Sequence, residues 1–391
     1  MPMRWMPVLV LAAVGAGAPL ALAKGTPAEE LLKAATKGEV EKIEALLGQG
    51  ADVNARTKDQ RTPLIEAARN GRAAAAHTLL EAKADVNAQD KDGNTALMEA
   101  AKKDDDKMAM EILQAGADVS LKDKDGWTAL IEATAHGTSA LAKELIKKGS
   151  DVNAVTKDGR SPLLLAAGQG SESVVTALID AKVAVNTPEI GGPALIAAAS
   201  AGKDGVVKIL LDAKAPLNYV NGDGTTPLIA AAAKGQSYTV ETLIKAGLKA
   251  DARDDHGRTG LSYAAEKGET RTVEMLLNHG AAVDLEDKDG FTPLMRAANS
   301  TSYSNDAIPV LLRYGAGVDH QGGYQRKTAL MIAAEEGRGD GIIDALLKGG
   351  ASTSLKSGEK KTAGEYALAR KHVELAKKLG VTPPTDTAVK K

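Results

Sequence analysis

Thr62-Pro63-Leu64-Ile65-Glu66-Ala67-Ala68 returns as Thr95-Ala96-Leu97-Met98-Glu99-Ala100-Ala101, as Thr128-Ala129-Leu130-Ile131-Glu132-Ala133-Thr134 and as Ser161-Pro162-Leu163-Leu164-Leu165-Ala166-Ala167. Further copies begin at Pro193, Thr226, Thr259, Thr292 and Thr328. The shared leucine stands at 64, 97, 130, 163, 195, 228, 261, 294 and 330, so successive copies lie 33, 33, 33, 32, 33, 33, 33 and 36 residues apart. A fixed period of this length marks stacked supersecondary units, none of which buries its apolar face alone.

Each copy reads as a helical pair. Thr or Ser is an N-cap, and the Pro or Ala after it opens the helix where a missing N–H costs nothing. Leu and the Ala pair give this short helix a narrow apolar stripe. A second helix carries Leu79-Leu80, Ile112-Leu113, Leu145-Ile146 and Leu276-Leu277. It often stops at a glycine (Gly116, Gly149, Gly280, Gly315, Gly350) that can take the left-handed conformation closing a helix. Ala-Asp-Val-Asn follows at 51–54 and 84–87, and the Asp-Gly pairs at 92–93, 125–126, 158–159 and 289–290 favour tight hairpins. Composition agrees: 43% of residues are hydrophobic but only 3% aromatic, which suits close-packed helices built from Ala, Leu, Ile and Val.

This set of residues resembles the ankyrin repeat over residues 26–380. The resemblance implies an all-α solenoid of helix–turn–helix units with short β-hairpin turns, forming one elongated, curved domain. The organisation expected is a signal peptide over 1–23, an N-terminal capping unit over 24–58 and nine repeats over 59–356. A C-terminal capping unit over 357–380 and a disordered tail over 381–391 follow. More polar terminal units are what a solenoid needs at its open ends. The family's frequent His after Thr-Pro-Leu is absent, so apolar packing must join the units instead. Lys83, Lys182 and Lys214 stand where Gly would end the second helix, each costing about 1 kcal/mol if held left-handed. The fifth copy loses its Asp-Gly turn and one residue. In the eighth, Ala298 to Leu311 is 13 where Ala68 to Leu79 is 11, which places extra residues in the polar loop Asn299–Asp306.

The start of the chain reads as a leader. Arg4 is followed by an apolar stretch from Val8 to Leu22, and Ala21-Leu22-Ala23 offers small residues at −3 and −1 before Lys24. The stretch is short for a membrane span and is broken by Gly15, Gly17 and Pro19. A cut after Ala23, a periplasmic or secreted location and no membrane attachment after cleavage are therefore expected. The formal net charge of −2 becomes −3 without Arg4, which gives no footprint for nucleic acid. The chain has no cysteine, which excludes disulfides, thiolate catalysis and zinc–thiolate sites.

Catalytic chemistry has little to stand on. The six His residues, at 77, 136, 256, 279, 320 and 372, show no metal spacing and no Ser/His/Asp order. Asp-Lys-Asp-Gly at 90–93, 123–126 and 287–290 superficially resembles a calcium loop, but it lacks the further oxygen ligands and terminal Glu of an EF-hand. No enzyme activity, cofactor or metal is expected.

Binding has more. In the resembled family, partners meet the hairpin tips and the exposed side of the first helices. The residue between the turn glycine and the capping Thr varies along the array: Arg61, Asn94, Trp127, Arg160, Gly192, Thr225, Arg258, Phe291 and Lys327. Trp127 is the only Trp after residue 23 and Phe291 the only Phe of the chain, and aromatic and Arg side chains concentrate binding energy. The competing reading has each ring folded onto its own hairpin. A second row runs through the first helices: Glu66, Glu99, Glu132, Leu165, Ala197, Ala230, Tyr263, Arg296 and Ile332. Helices about 10 Å apart would space the three carboxylates into an acidic strip. That strip is either a solvated face with weak salt bridges or the acidic end of a graded binding surface. The function expected is a monomeric, non-enzymatic scaffold presenting a rigid concave surface to another protein. The alternatives are an inhibitor or immunity-type protein occluding a partner enzyme, or, by resemblance to exported bacterial ankyrin proteins, support of a periplasmic peroxide-defence enzyme.

Overall fold

The computed structural model describes residues 25–103, 106–185, 187, 191–301 and 305–382. The expected leader lies outside these residues, as do the expected tail from Pro383 on, part of the fifth hairpin and part of the loop 299–306. Among the described residues 22 α-helices occur as consecutive pairs. Pro27–Lys37 and Val40–Gly48 form the first pair, and Ala363–Ala369 and Val373–Lys378 the last. Between them lie the nine repeats. Their first helices are Pro63–Arg69, Ala96–Ala101, Ala129–Ala135, Pro162–Gln169, Gly191–Ser200, Pro227–Ala232, Gly260–Lys267, Pro293–Ala298 and Ala329–Glu335.

First helices pack on the first helices of neighbouring repeats and second helices on second helices, so two helical layers run along the array. The repeated leucine is the hub between them: all nine copies are at most 1% exposed. One continuous apolar cluster extends from Leu31 to Leu379. Thr62, Thr95, Thr128, Ser161, Thr226, Thr259, Thr292 and Thr328 each accept the third helical N–H at 3.2–3.3 Å, as N-caps do. The fifth repeat has no such hydroxyl, and its first helix begins at Gly191. There the Tyr219 ring of the next repeat occupies the space a side chain at Gly192 would need.

The hairpins differ in detail from the tight two-residue turn that Asp-Gly suggests. Asp90 N–H donates to the Asn94 carbonyl at 3.0 Å and Gly93 N–H to that of Asp90 at 3.0 Å, enclosing three residues. Gly93, at φ 91, supplies the left-handed residue such a loop requires. Extended pairing is confined to isolated bridges, Arg253 with Thr259 and Gly322 with Lys327, among the described residues.

Lys83, Lys182 and Lys214 do adopt the left-handed conformation, at φ 64, 64 and 68. An L side chain is strained there, so Lys83→Gly, Lys182→Gly and Lys214→Gly should each stabilise by about 1 kcal/mol. Urea unfolding of the triple variant checks this; an unchanged midpoint would contradict the strain.

Candidate protein-binding face

The first residue of most hairpins is an oxygen-bearing side chain, and that oxygen is committed to the hairpin itself. Asp90 Oδ1 accepts the N–H groups of Asp92 and Asn94 at 2.9 and 2.8 Å, and Asp123 Oδ1 those of Asp125 and Trp127 at 2.9 and 2.8 Å. Asp254 and Asp287 repeat the pattern, while Thr57 and Thr156 hold the second of the two donors. The Asp of Asp-Lys-Asp-Gly is thus a turn-former. Among the described residues, no group of three or more His, Asp or Glu side chains is placed to hold a metal ion.

Two further ladders join the repeats. A backbone N–H at each tip donates to a carbonyl of the preceding tip: Lys91 to Asp59 at 2.7 Å, Lys124 to Asp92 at 2.8 Å, Lys157 to Asp125 at 2.9 Å. The ladder resumes beyond the fifth hairpin with Asp255 to Asp223 at 3.2 Å, Lys288 to His256 at 3.0 Å and Gly323 to Gly290 at 2.8 Å. Behind the tips, the last residue of Ala-Asp-Val-Asn accepts a backbone N–H of the following repeat. Asn54 accepts from Asp85 at 2.8 Å, Asn87 from Asp118 at 2.7 Å and Asn153 from Ala184 at 2.8 Å. Asp251, Asp284 and Asp319 take the same place farther on.

On this frame the two expected rows of binding residues meet one another. Arg61 Nη1 donates to Glu66 at 2.9 Å, and Arg61 also pairs with Asp59. Arg258 pairs with Glu266 and lies 3.8 Å from the centre of the Tyr263 ring. Tyr263 donates its hydroxyl to Asp254 at 2.7 Å; burial and that bond raise the phenol to about 12, so it remains a donor at neutral pH. Arg296 pairs with Asp287 and Asp289, both at 2.6 Å, and stacks 4.7 Å from the Phe291 ring. Arg160, exposed at its tip, lies 5.4 Å from the half-buried Trp127 ring.

Phe291 belongs with the folded-down reading. Its ring packs on the apolar core and against the backbone of Gly323 as well as under Arg296. Replacing it would therefore disturb stability as well as any contact with a partner.

The expected acidic strip is closed rather than solvated. Glu66, Glu99 and Glu132 are only 7, 6 and 5% exposed. Arg61 covers the first, and Lys102 Nζ lies 3.0 Å from Glu99 and 3.5 Å from Glu132. Burial draws the Lys102 ammonium down, but its two carboxylates outweigh this and leave it above its ordinary value. Two carboxylates share that one ammonium, and Glu132 is the less satisfied. Burial pushes its carboxyl up, and Lys102 and His136 offset this only in part.

A consequence for pH follows from the sign of that shift. The unfolded Glu132 releases its proton near 4.5, before the folded one does. Its contribution to stability is therefore full below that pH and is lost as pH rises through the raised folded value. Glu132→Gln should flatten the fall in stability above pH 4.5, read from urea midpoints between pH 4 and 8. Parallel curves for the two proteins would rule the effect out.

One open feature of this face was not among the expected site residues. An open cleft of about 960 Å³ lies along the joined eighth and ninth hairpins and the ends of their first helices, lined among others by Phe291, Asn299, Tyr324, Lys327, Glu335 and Glu336. The sequence held its signal. Of the three residues by which the 294-to-330 spacing exceeds 33, two fall in the loop 299–306, and the third falls in the ninth hairpin.

A family model described as ankyrin repeats (3 copies) matches residues 31–123, 97–189, 182–254 and 235–321, together more than half of the chain. The chain belongs to the ankyrin-repeat family. A comparison with curated proteins found no match. Ankyrin repeats are generally protein–protein interaction modules and generally non-enzymatic scaffolds. In this ankyrin array no helix among the described residues is long and apolar enough to cross a membrane.

Proposed function

We propose that this ankyrin protein is exported to the periplasm or the cell exterior and there acts as a monomeric, non-enzymatic scaffold for a protein partner. The partner meets the hairpin tips and the adjacent ends of the first helices. The observation carrying this reading is the backbone ladder that ties each described tip to its neighbour while leaving tip side chains such as Arg160 outward. A surface already ordered before contact loses little entropy on binding, so more of the contact energy appears as affinity. The mechanism is presentation of that surface; no cofactor enters it.

Capture from a periplasmic extract tests this, using the chain from Lys24 on beside a Trp127→Ala/Arg160→Glu variant. Both positions lie at tips, away from the leucine hubs, so the variant should keep its melting curve. One dominant protein, retained by the parent and lost or weakened at least tenfold in the variant, is the expected result. Equal retention by both would overturn the assignment of binding to these tips.

A further inference from the structure

The sixth hairpin, residues 221–225, differs from the others at its first residue. Asp90, Asp123, Asp254 and Asp287 open four of the hairpins, and Thr57, Thr156 and Ser357 open three more, whereas this one opens with Asn221, followed by Gly222. Asn221 fills the same turn-forming role: its Oδ1 accepts the N–H groups of Asp223 at 3.4 Å and Thr225 at 2.8 Å. An amide in that place is an electrophile, which a carboxylate is not. Its carbon is open to attack by the backbone nitrogen of the next residue, most readily where that residue is glycine and no Cβ stands in the way.

The second difference lies in that nitrogen. In six other hairpins the residue after the turn-former donates its N–H to the preceding tip: Lys91, Lys124, Lys157, Asp255, Lys288 and Gly358, at 2.7–3.2 Å. Gly222 N–H has no acceptor among the described residues, and Asn221 Nδ2 has none either. Both residues are exposed, and a Cβ built on Gly222 would meet nothing within 4 Å. The attacking nitrogen is therefore uncommitted and the leaving amide group faces water. The amide oxygen is polarised by two N–H donors, as donors in an oxyanion site polarise a carbonyl.

One other Asn-Gly pair occurs in the chain, Asn70-Gly71, at the end of the helix Pro63–Arg69. It is exposed too. There Gly71 N–H donates to the Ala68 carbonyl at 3.1 Å, and Asn70 Nδ2 donates to the Glu66 carbonyl at 2.8 Å. The same dipeptide thus stands once with its reacting groups engaged and once with them free.

We infer that Asn221 is a site of spontaneous covalent modification, converted to aspartate and isoaspartate through a cyclic imide formed with Gly222. The Gly222 nitrogen bonds to Asn221 Cγ and gives up its proton. The bond from Cγ to Nδ2 breaks, and Nδ2 leaves with that proton as ammonia. Water then opens the ring at one of its two carbonyls. Opening at Cγ yields aspartate; opening at the main-chain carbonyl of residue 221 yields isoaspartate, with the chain running through Cβ. Water is the only co-reactant, and nothing is oxidised or reduced.

The two products act differently on the hairpin. Aspartate gives position 221 the side chain that Asp90 and Asp123 already use to hold their turns. Isoaspartate lengthens the backbone at its tightest point and turns the residue 221 carbonyl, which accepts the Gly224 N–H at 3.1 Å, into a free carboxylate. Thr225, on the variable tip row, shifts with it. So does the Asp223 carbonyl, which accepts the Asp255 N–H at 3.2 Å, and the link to the seventh hairpin loosens.

The test ages the chain from Lys24 on in mildly alkaline buffer, digests it and reads each Asn-Gly peptide by mass spectrometry. The exchange of amide for acid shifts the mass, and electron-based fragmentation separates isoaspartate from aspartate. In the folded protein Asn221 is expected to convert about tenfold faster than Asn70, the factor set by freeing one hydrogen-bonded N–H. In urea, where only the shared dipeptide acts, the two rates should converge. Gly222→Ala places its methyl in open space, so it should keep the melting curve, slow conversion at Asn221 by a similar factor and leave Asn70 unchanged. Equal conversion of the two asparagines in the folded protein, a ratio as large in urea, or conversion at Asn221 indifferent to Gly222→Ala would each overturn the inference.

Discussion

Asp287→Ala is expected to destabilise the protein by about 3–5 kcal/mol, the scale found when one partner of a buried ion pair is removed. The Asp287 side chain is 0% exposed and that of its partner Arg296 only 13%. One carboxylate oxygen takes Arg296, and the other holds the N–H groups of Asp289 and Phe291, both at 3.0 Å. Truncation leaves a largely buried guanidinium with only the exposed Asp289, and two turn donors without their acceptor. Because repeats couple mainly to their neighbours, the loss should appear locally, with the repeats beyond the eighth hairpin unfolding first. Urea unfolding followed by circular dichroism should split into two transitions, with early proteolytic cleavage near that hairpin. A single transition displaced by less than about 1 kcal/mol would mean that Arg296 simply turns to solvent.

Leu130→Ala should cost about 2–5 kcal/mol, with the upper part of that range favoured by its surroundings. Leu130 is fully buried; its own helix presents Ala133, and the neighbouring first helices present Ala100, Ala101, Ala166 and Ala167, all at most 1% exposed. Alanine has no rotamer with which to fill a void, so the cavity stays open and the lost contacts are not replaced. The position lies in the third of nine repeats, so here the damage should weaken coupling between the two sides of the array. Hydrogen exchange should show protection lost first around Ala129–Ala135. Loss confined to the chain ends, with the third repeat unaffected, would contradict the assignment of this leucine as a hub.

The helical frame was legible because its signals are local: a hydroxyl three residues before the amide it caps, a leucine at a fixed place in a short helix. The left-handed lysines were legible for the same reason, since Lys83 stands where other repeats place glycine. The state of Glu66, Glu99 and Glu132 was not. Whether a glutamate on a short helix is open or covered depends on a cation delivered by its own hairpin, as with Arg61, or shared with the next repeat, as with Lys102. Residue type and spacing do not report that geometry. Phe291 illustrates the same limit: its place on a variable row was correct, but the glycines of the following hairpin decide where its ring lies. Tyr324 lay outside that row, three residues before its member Lys327, at a hairpin position where the second, third and eighth hairpins carry aspartate (Asp92, Asp125, Asp289).

The inter-repeat ladders also give the array two unlike ends. In both ladders the donor is a backbone N–H of the later repeat and the acceptor an oxygen of the earlier one, a carbonyl as with Lys124 and Asp92 or a side chain as with Asp85 and Asn54. Cutting the array after any repeat therefore leaves bare acceptors on the piece that ends there and bare N–H donors on the piece that begins. The two terminal units face different capping demands, and a cap suited to one end does not serve the other.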